Sequence, residues 1–140
     1  MTSFKLHTMK FNFIPYRLNA DKAELKFEIK YLATDNGIDL YKAKPKTTIL
    51  GFLVTGVNLY FFEGSLITVY IHLVAKAEDF SQVRQILESR IKEKGKTFKI
   101  DSGEVIGWEN ESEFLGLVYG KSGNRLYLYY SIREYSIYSL

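Results

Sequence analysis

His7 and His72 are the two side chains of this chain whose ordinary pKa lies near neutrality, so either could serve as a general base. Each sits in a strand-like run, with no carboxylate and hydroxyl arranged around it as a triad needs. A second group gathers late in the chain, where Glu104, Glu109, Glu111 and Glu113 surround Trp108 and Asn110. Two carboxyls can divide acid and base roles when one is desolvated against an indole. The simpler reading is a polar turn, Glu109-Asn110-Glu111-Ser112, whose exposed carboxylates stay ionised, and that reading is preferred.

Other familiar chemistries lack their residues. There is no cysteine, which excludes disulfides, thiolate nucleophiles, zinc ribbons and iron–sulfur clusters. No His-Glu-x-x-His or repeated-Asp loop is present. Gly51 and Gly56 straddle an apolar run, but no Gly-Lys-Ser/Thr follows to cradle a phosphate. No catalytic residue, metal or cofactor is expected, and a non-enzymatic role is favoured.

The chain is mildly basic, with 19 Lys and Arg against 16 Asp and Glu, a net charge of +3. Lys42, Lys44 and Lys46 flank Pro45, and Lys92, Lys94 and Lys96 surround Gly95. The first set reads as a solvated connector, the second as the cationic end of a helix. This surplus is too small for a dedicated nucleic-acid footprint, so nucleic acid is disfavoured as a partner. The longest apolar candidate, residues 49–74, is broken by Asn58, Glu63, Gly64, Ser65 and His72. A membrane helix needs about 20 apolar residues, so no membrane span is expected. The amino terminus shows no signal-peptide core, and a cytoplasmic location is expected unless such a peptide has been removed.

Hydropathy patterning supplies the elements. Val57, Leu59 and Phe61 alternate before Phe62-Glu63-Gly64-Ser65, and Ile67, Val69, Ile71 and Leu73 alternate after it, the pattern of a β-hairpin with one buried face. Leu25, Phe27, Ile29 and Tyr31 alternate with charges and read as a strand, turned by Asp35-Asn36-Gly37 into a return through Ile38 and Leu40. Residues 4–13 read as an irregular strand ended by Pro15. Phe80, Val83, Leu87 and Ile91 recur at helical spacing, which predicts an amphipathic helix over 79–94. Asp79 with Gln82 suggests its capping box, and Gly95 its left-handed end. Thr97–Ile100, Val105–Glu109, Phe114–Tyr119 and Arg125–Ile132 complete the strand set.

A single α+β domain over 1–140 follows: an antiparallel, curved sheet of six to eight strands with one helix packed on one face. The other face would carry Tyr60, Thr68, Tyr70, His72, Tyr127 and Tyr129. Eleven tyrosines in a chain of 140 residues supply rigid contact area at low entropic cost. The expected function is therefore a small protein-binding module of inhibitor, immunity or adaptor type. It would capture a protein partner or a second copy through Tyr60, Tyr70, His72, Trp108, Tyr127 and Tyr129, or through the tyrosine-rich strand Arg125–Ile132 or its neighbour at a sheet edge. The competing expectation is a small-molecule-binding or enzymatic domain with a pocket between sheet and helix.

Overall fold

The computed structural model describes residues 10–25, 27–44, 48–100, 103–119 and 125–136. Strands β1 (Ile29–Asp35) and β2 (Ile38–Ala43) pair through Asn36-Gly37, and β4 (Phe52–Phe62) and β5 (Ser65–Lys76) pair through Glu63-Gly64. Both central residues of each turn have positive φ, 52° and 80° in the first and 50° and 83° in the second. Two-residue hairpins of this hand match the right-handed twist of their strands, which is why Gly takes the second position. Between them lies β3 (Thr48–Ile49), a two-residue strand against the start of β4.

After β5 the chain enters helix α1 (Phe80–Ile91) and returns as a meander of β6 (Lys96–Ile100), β7 (Gly103–Glu109), β8 (Glu113–Tyr119) and β9 (Arg125–Ile132). The order across the sheet is β1-β2-β4-β5-β9-β8-β7-β6, with every pairing antiparallel. Two four-stranded meanders are thus joined at β5 and β9, and the helix is the crossover between them. The sheet is open and curved, with bulges in β1, β4–β5 and β5–β9 that bend the strands.

One face holds the main core. Val57, Leu59 and Phe61 meet Val69, Ile71 and Leu73, then Leu126, Leu128 and Tyr130, then Leu115 and Leu117, then Ile106 and Trp108. Val83, Leu87 and Ile91 of α1 are buried in the same cluster, at the positions the helical spacing predicts. Phe11, Ile14 and Leu18 join it from the segment before β1.

Several boundaries depart from the sequence expectation. Residues 10–13 form turns rather than a strand, and the rest of that predicted strand, residues 4–9, lies outside the described residues. The reason is visible in the burial: Phe11, Ile14 and Leu18 recur at three- and four-residue spacing, which suits a coiled-up segment. β1 starts at Ile29, although Leu25 and Phe27 do pack on the core with it. Asp79 makes no side-chain cap to the helix; its carboxylate accepts from the Lys76 N–H at 2.9 Å. The capping box occurs instead at Asp21 and Glu24, around a short 3-10 turn. Lys92, with φ 65°, and not Gly95, is the left-handed residue that ends α1. The predicted turn 121–124, as well as Pro45 and Lys46, lies outside the described residues.

Candidate functional site

The sheet face opposite α1 is set by strand parity. Across its middle runs one register row, Lys30–Lys42–Asn58–Tyr70–Tyr129–Gly116–Gly107–Lys96, in which each residue faces the next on the adjacent strand. Directly opposed residues share a face. Toward one end lies Leu40–Tyr60–Thr68–Ser131–Phe114, and toward the other Gly56–His72–Tyr127–Val118.

The rings on these rows touch. Tyr70 lies 5.5 Å from Tyr60, 5.6 Å from Tyr127 and 5.0 Å from Tyr129, centroid to centroid, and His72 lies 5.7 Å from Tyr127. The layer continues from Tyr129 to Phe114 at 6.1 Å and on to Phe98 at 5.1 Å. Most of these pairs are edge-to-face or tilted, the arrangement the ring quadrupoles favour. Tyr129 is 2% exposed and forms the floor with Val105, Phe114 and Val118, whereas Tyr60, Tyr70, His72 and Tyr127 are half-buried and form the surface.

Five of the six sequence-predicted residues are therefore brought together: Tyr60, Tyr70, His72, Tyr127 and Tyr129. Trp108 is not among them. It belongs to the opposite face, 1% exposed in the main core, where its indole N–H donates to the Glu93 carbonyl at 2.8 Å. Its parity on β7 differs from that of Val105, and that alternation carries the indole to the helix side. Edge pairing through Arg125–Ile132 is overturned as well. β9 sits between β5 and β8 in the middle of the sheet, and the edges of the described sheet are β1 and β6.

Burial lowers the His72 pKa below the ordinary histidine value, so the ring favours its neutral form. Burial raises the Tyr60 phenol, and the neighbouring Tyr129 adds to it. A hollow of about 190 Å³ opens beside the rings between Ile38, Tyr60, Ile67 and Tyr135. Phe62 and Tyr135 close one side of it at 5.8 Å. Beneath it Thr68 and Ser131 share a buried hydroxyl contact of 2.8 Å. At the β1–β2 end, Lys30, Lys42 and Lys44 line a separate hollow with Glu28 and Thr55.

A second arrangement lies on the helix side. Glu113, the first residue of β8, is half-buried and accepts the Tyr130 hydroxyl at 2.7 Å. Burial raises the Glu113 carboxyl above its ordinary value, with the Tyr130 and Asn110 hydrogen bonds opposing. Burial also drives the Tyr130 phenol far above its usual range, and the Glu113 charge reinforces this. Sequence reading groups Glu113 with the carboxylates around Trp108 and does not single out Tyr130. What could have revealed the pair is β8–β9 register, and that depends on partners distant in the chain. The neighbouring Glu109 pairs with Arg133 at 3.3 Å, and Lys10 bridges the Glu109 carbonyl and the Glu93 carboxylate. Among the described residues no cluster of three metal-ligating side chains occurs, and no helix is long and apolar enough to cross a membrane. No family model matches the chain, and no curated protein or solved structure matches it.

Proposed function

We propose that this chain is a non-enzymatic protein-binding module that holds its partner, another protein or a second copy, against the sheet face opposite α1. The observation that carries the reading is the continuous layer of Tyr60, Tyr70, Tyr127 and His72 over the Tyr129 floor, on the face that α1 leaves uncovered. Rings that are half-buried and braced by one another lose little freedom when a partner covers them, so the apolar area they present converts efficiently into affinity. The Lys30–Lys42 end of the same face supplies charge that orients an incoming surface.

Tyr70 and Tyr127 are the residues to change, because Tyr129 is buried and its loss would unpack the layer. A photo-crosslinking residue at position 127 should yield a discrete protein adduct in the cells that make the chain. Tyr70→Ser should abolish that adduct while leaving the far-ultraviolet spectrum intact, and the same probe at exposed Gln85 on α1 should yield none. An adduct of equal intensity from both positions, or one indifferent to Tyr70→Ser, sinks the assignment.

A further inference from the structure

The segment before β1 is fastened to the sheet at both ends and spans a cavity between them. At one end the Lys10 ammonium bonds to Glu93 at 2.8 Å and to the Glu109 carbonyl at 2.6 Å. At the other, the Asn19 N–H donates to the Leu66 carbonyl at 2.8 Å and the Leu66 N–H to the Ala20 carbonyl at 2.9 Å. Between these ties, residues 11–19 pass beside Ser112, Glu113 and Tyr130 and border with them a partly open cavity of about 510 Å³. That volume falls within the roughly 300–1,000 Å³ typical of small-molecule sites.

The lining is apolar on the inside and bears opposite charges. Phe11, Ile14 and Leu18 are buried core residues that present one side to the cavity. Glu113 and Arg17 line it too. The Glu113 carboxylate is held in place by Tyr130, whose ring is itself locked edge-on against Phe11 at 5.8 Å. Neither Glu113 nor Arg17 has an ion-pair partner among the described residues. A half-desolvated carboxylate with no cation among the described residues is costly to maintain, and a ligand ammonium would offset that cost.

We infer that this cavity is a binding site for a small zwitterion with an apolar side chain, an amino acid or short peptide, whose ammonium meets Glu113 and whose carboxylate meets Arg17. The apolar side chain lies against Phe11, Ile14 and Leu18. The tie between Tyr130 and Glu113 fixes the acceptor before the ligand arrives, so little rotamer freedom is lost on binding. This site is on the sheet face opposite to the tyrosine layer and stands independently of the protein-binding reading.

Calorimetric titration of the whole chain with L-phenylalanine, phenethylamine and 3-phenylpropionate tests it. Phenylalanine should bind more tightly than either singly charged analogue. Glu113→Gln should weaken phenylalanine by about tenfold or more and leave 3-phenylpropionate unchanged. Arg17→Gln should weaken phenylalanine and leave phenethylamine unchanged. Cross-relaxation between ligand ring protons and Tyr130 or Phe11 in the unaltered protein gives a readout that survives if a variant misfolds. Absence of binding and of those contacts at roughly 10 mM ligand, an affinity too weak to matter, overturns the inference. So does equal affinity of phenylalanine for the unaltered chain and a folded Glu113→Gln variant.

Discussion

Gly95 and Trp108 are packed so closely that a Cβ added to the glycine would lie 2.8 Å from the indole Cζ2, with Ile106 crowding it from the same side. The ring cannot give way easily, because its N–H is tied to the Glu93 carbonyl at 2.8 Å and it is buried among core residues. The Gly95 N–H is fixed as well, donating to the Glu88 carboxylate at 2.9 Å. That bond is the main reason the Glu88 carboxyl lies below its ordinary value. Gly95→Ala should therefore destabilise by about 1–3 kcal/mol through overpacking and shift the Trp108 emission. Urea denaturation measures it, and a variant as stable as the parent shows that the helix-to-β6 connection relaxes freely.

Glu63 occupies the first central position of the β4–β5 turn at φ 50°, an exposed site where a non-glycine side chain meets its own backbone. Asn tolerates that conformation better and is favoured at this position of the turn. Glu63→Asn should stabilise by about 0.5–1 kcal/mol. For a chain of this size that raises the melting temperature by roughly 2–5 °C. An unchanged or lower melting temperature would show that the turn adopts another geometry in solution.

The Thr68–Ser131 contact has a direction that proton counting supplies. Ser131 Oγ lies 3.2 Å from the Ile67 carbonyl and 3.0 Å from its neighbour's carbonyl at Ile132, and only a donated proton can satisfy either. Its single proton is thereby used, so Thr68 donates and Ser131 accepts. Ser131→Ala strands the Thr68 proton and should cost about 1–2 kcal/mol, whereas Thr68→Val removes the donor and should cost less. The double variant should cost less than Ser131→Ala alone, because no unsatisfied donor is left behind. A Thr68→Val loss larger than that of Ser131→Ala would reverse the assigned direction.

What the sequence disclosed depended on whether a signal was local. Alternation in Val57–Leu73 and Arg125–Ile132 gives the faces of β4, β5 and β9 directly, since a one-residue slip would expose every core side chain. The helical stripe likewise gives Val83, Leu87 and Ile91. The tyrosine layer follows as the complementary parity. The face of Trp108 is not legible locally, because it depends on the register of β7 and Gly107 beside it blurs the alternation. The central position of β9 could not be read either, for it requires the pairing of Thr68 with Ser131 across 63 residues. Glu113 and Tyr130 meet for the same kind of reason: β8 and β9 bring together two residues that each looked ordinary alone.

Two titrations pull stability in opposite directions. His72 has a folded pKa below its ordinary 6.5, from burial. Its contribution is present above that value and lost as pH falls through it toward the folded pKa, because the unfolded chain takes up the proton first. Glu113 has a folded pKa above its ordinary 4.5, again chiefly from burial, with Tyr130 and Asn110 opposing. Its contribution is fully present below 4.5 and lost as pH rises through the folded pKa, because the unfolded chain releases its proton first. Glu113→Gln keeps an acceptor for the Tyr130 hydroxyl and removes the charge. The melting-temperature difference, variant minus parent, should therefore grow as pH is raised from 4 toward 7. His72→Gln should instead flatten the loss on the acid side of 6.5. Thermal denaturation across that range separates the two, and a difference for Glu113→Gln that shrinks with rising pH would place its carboxyl in an environment that favours charge.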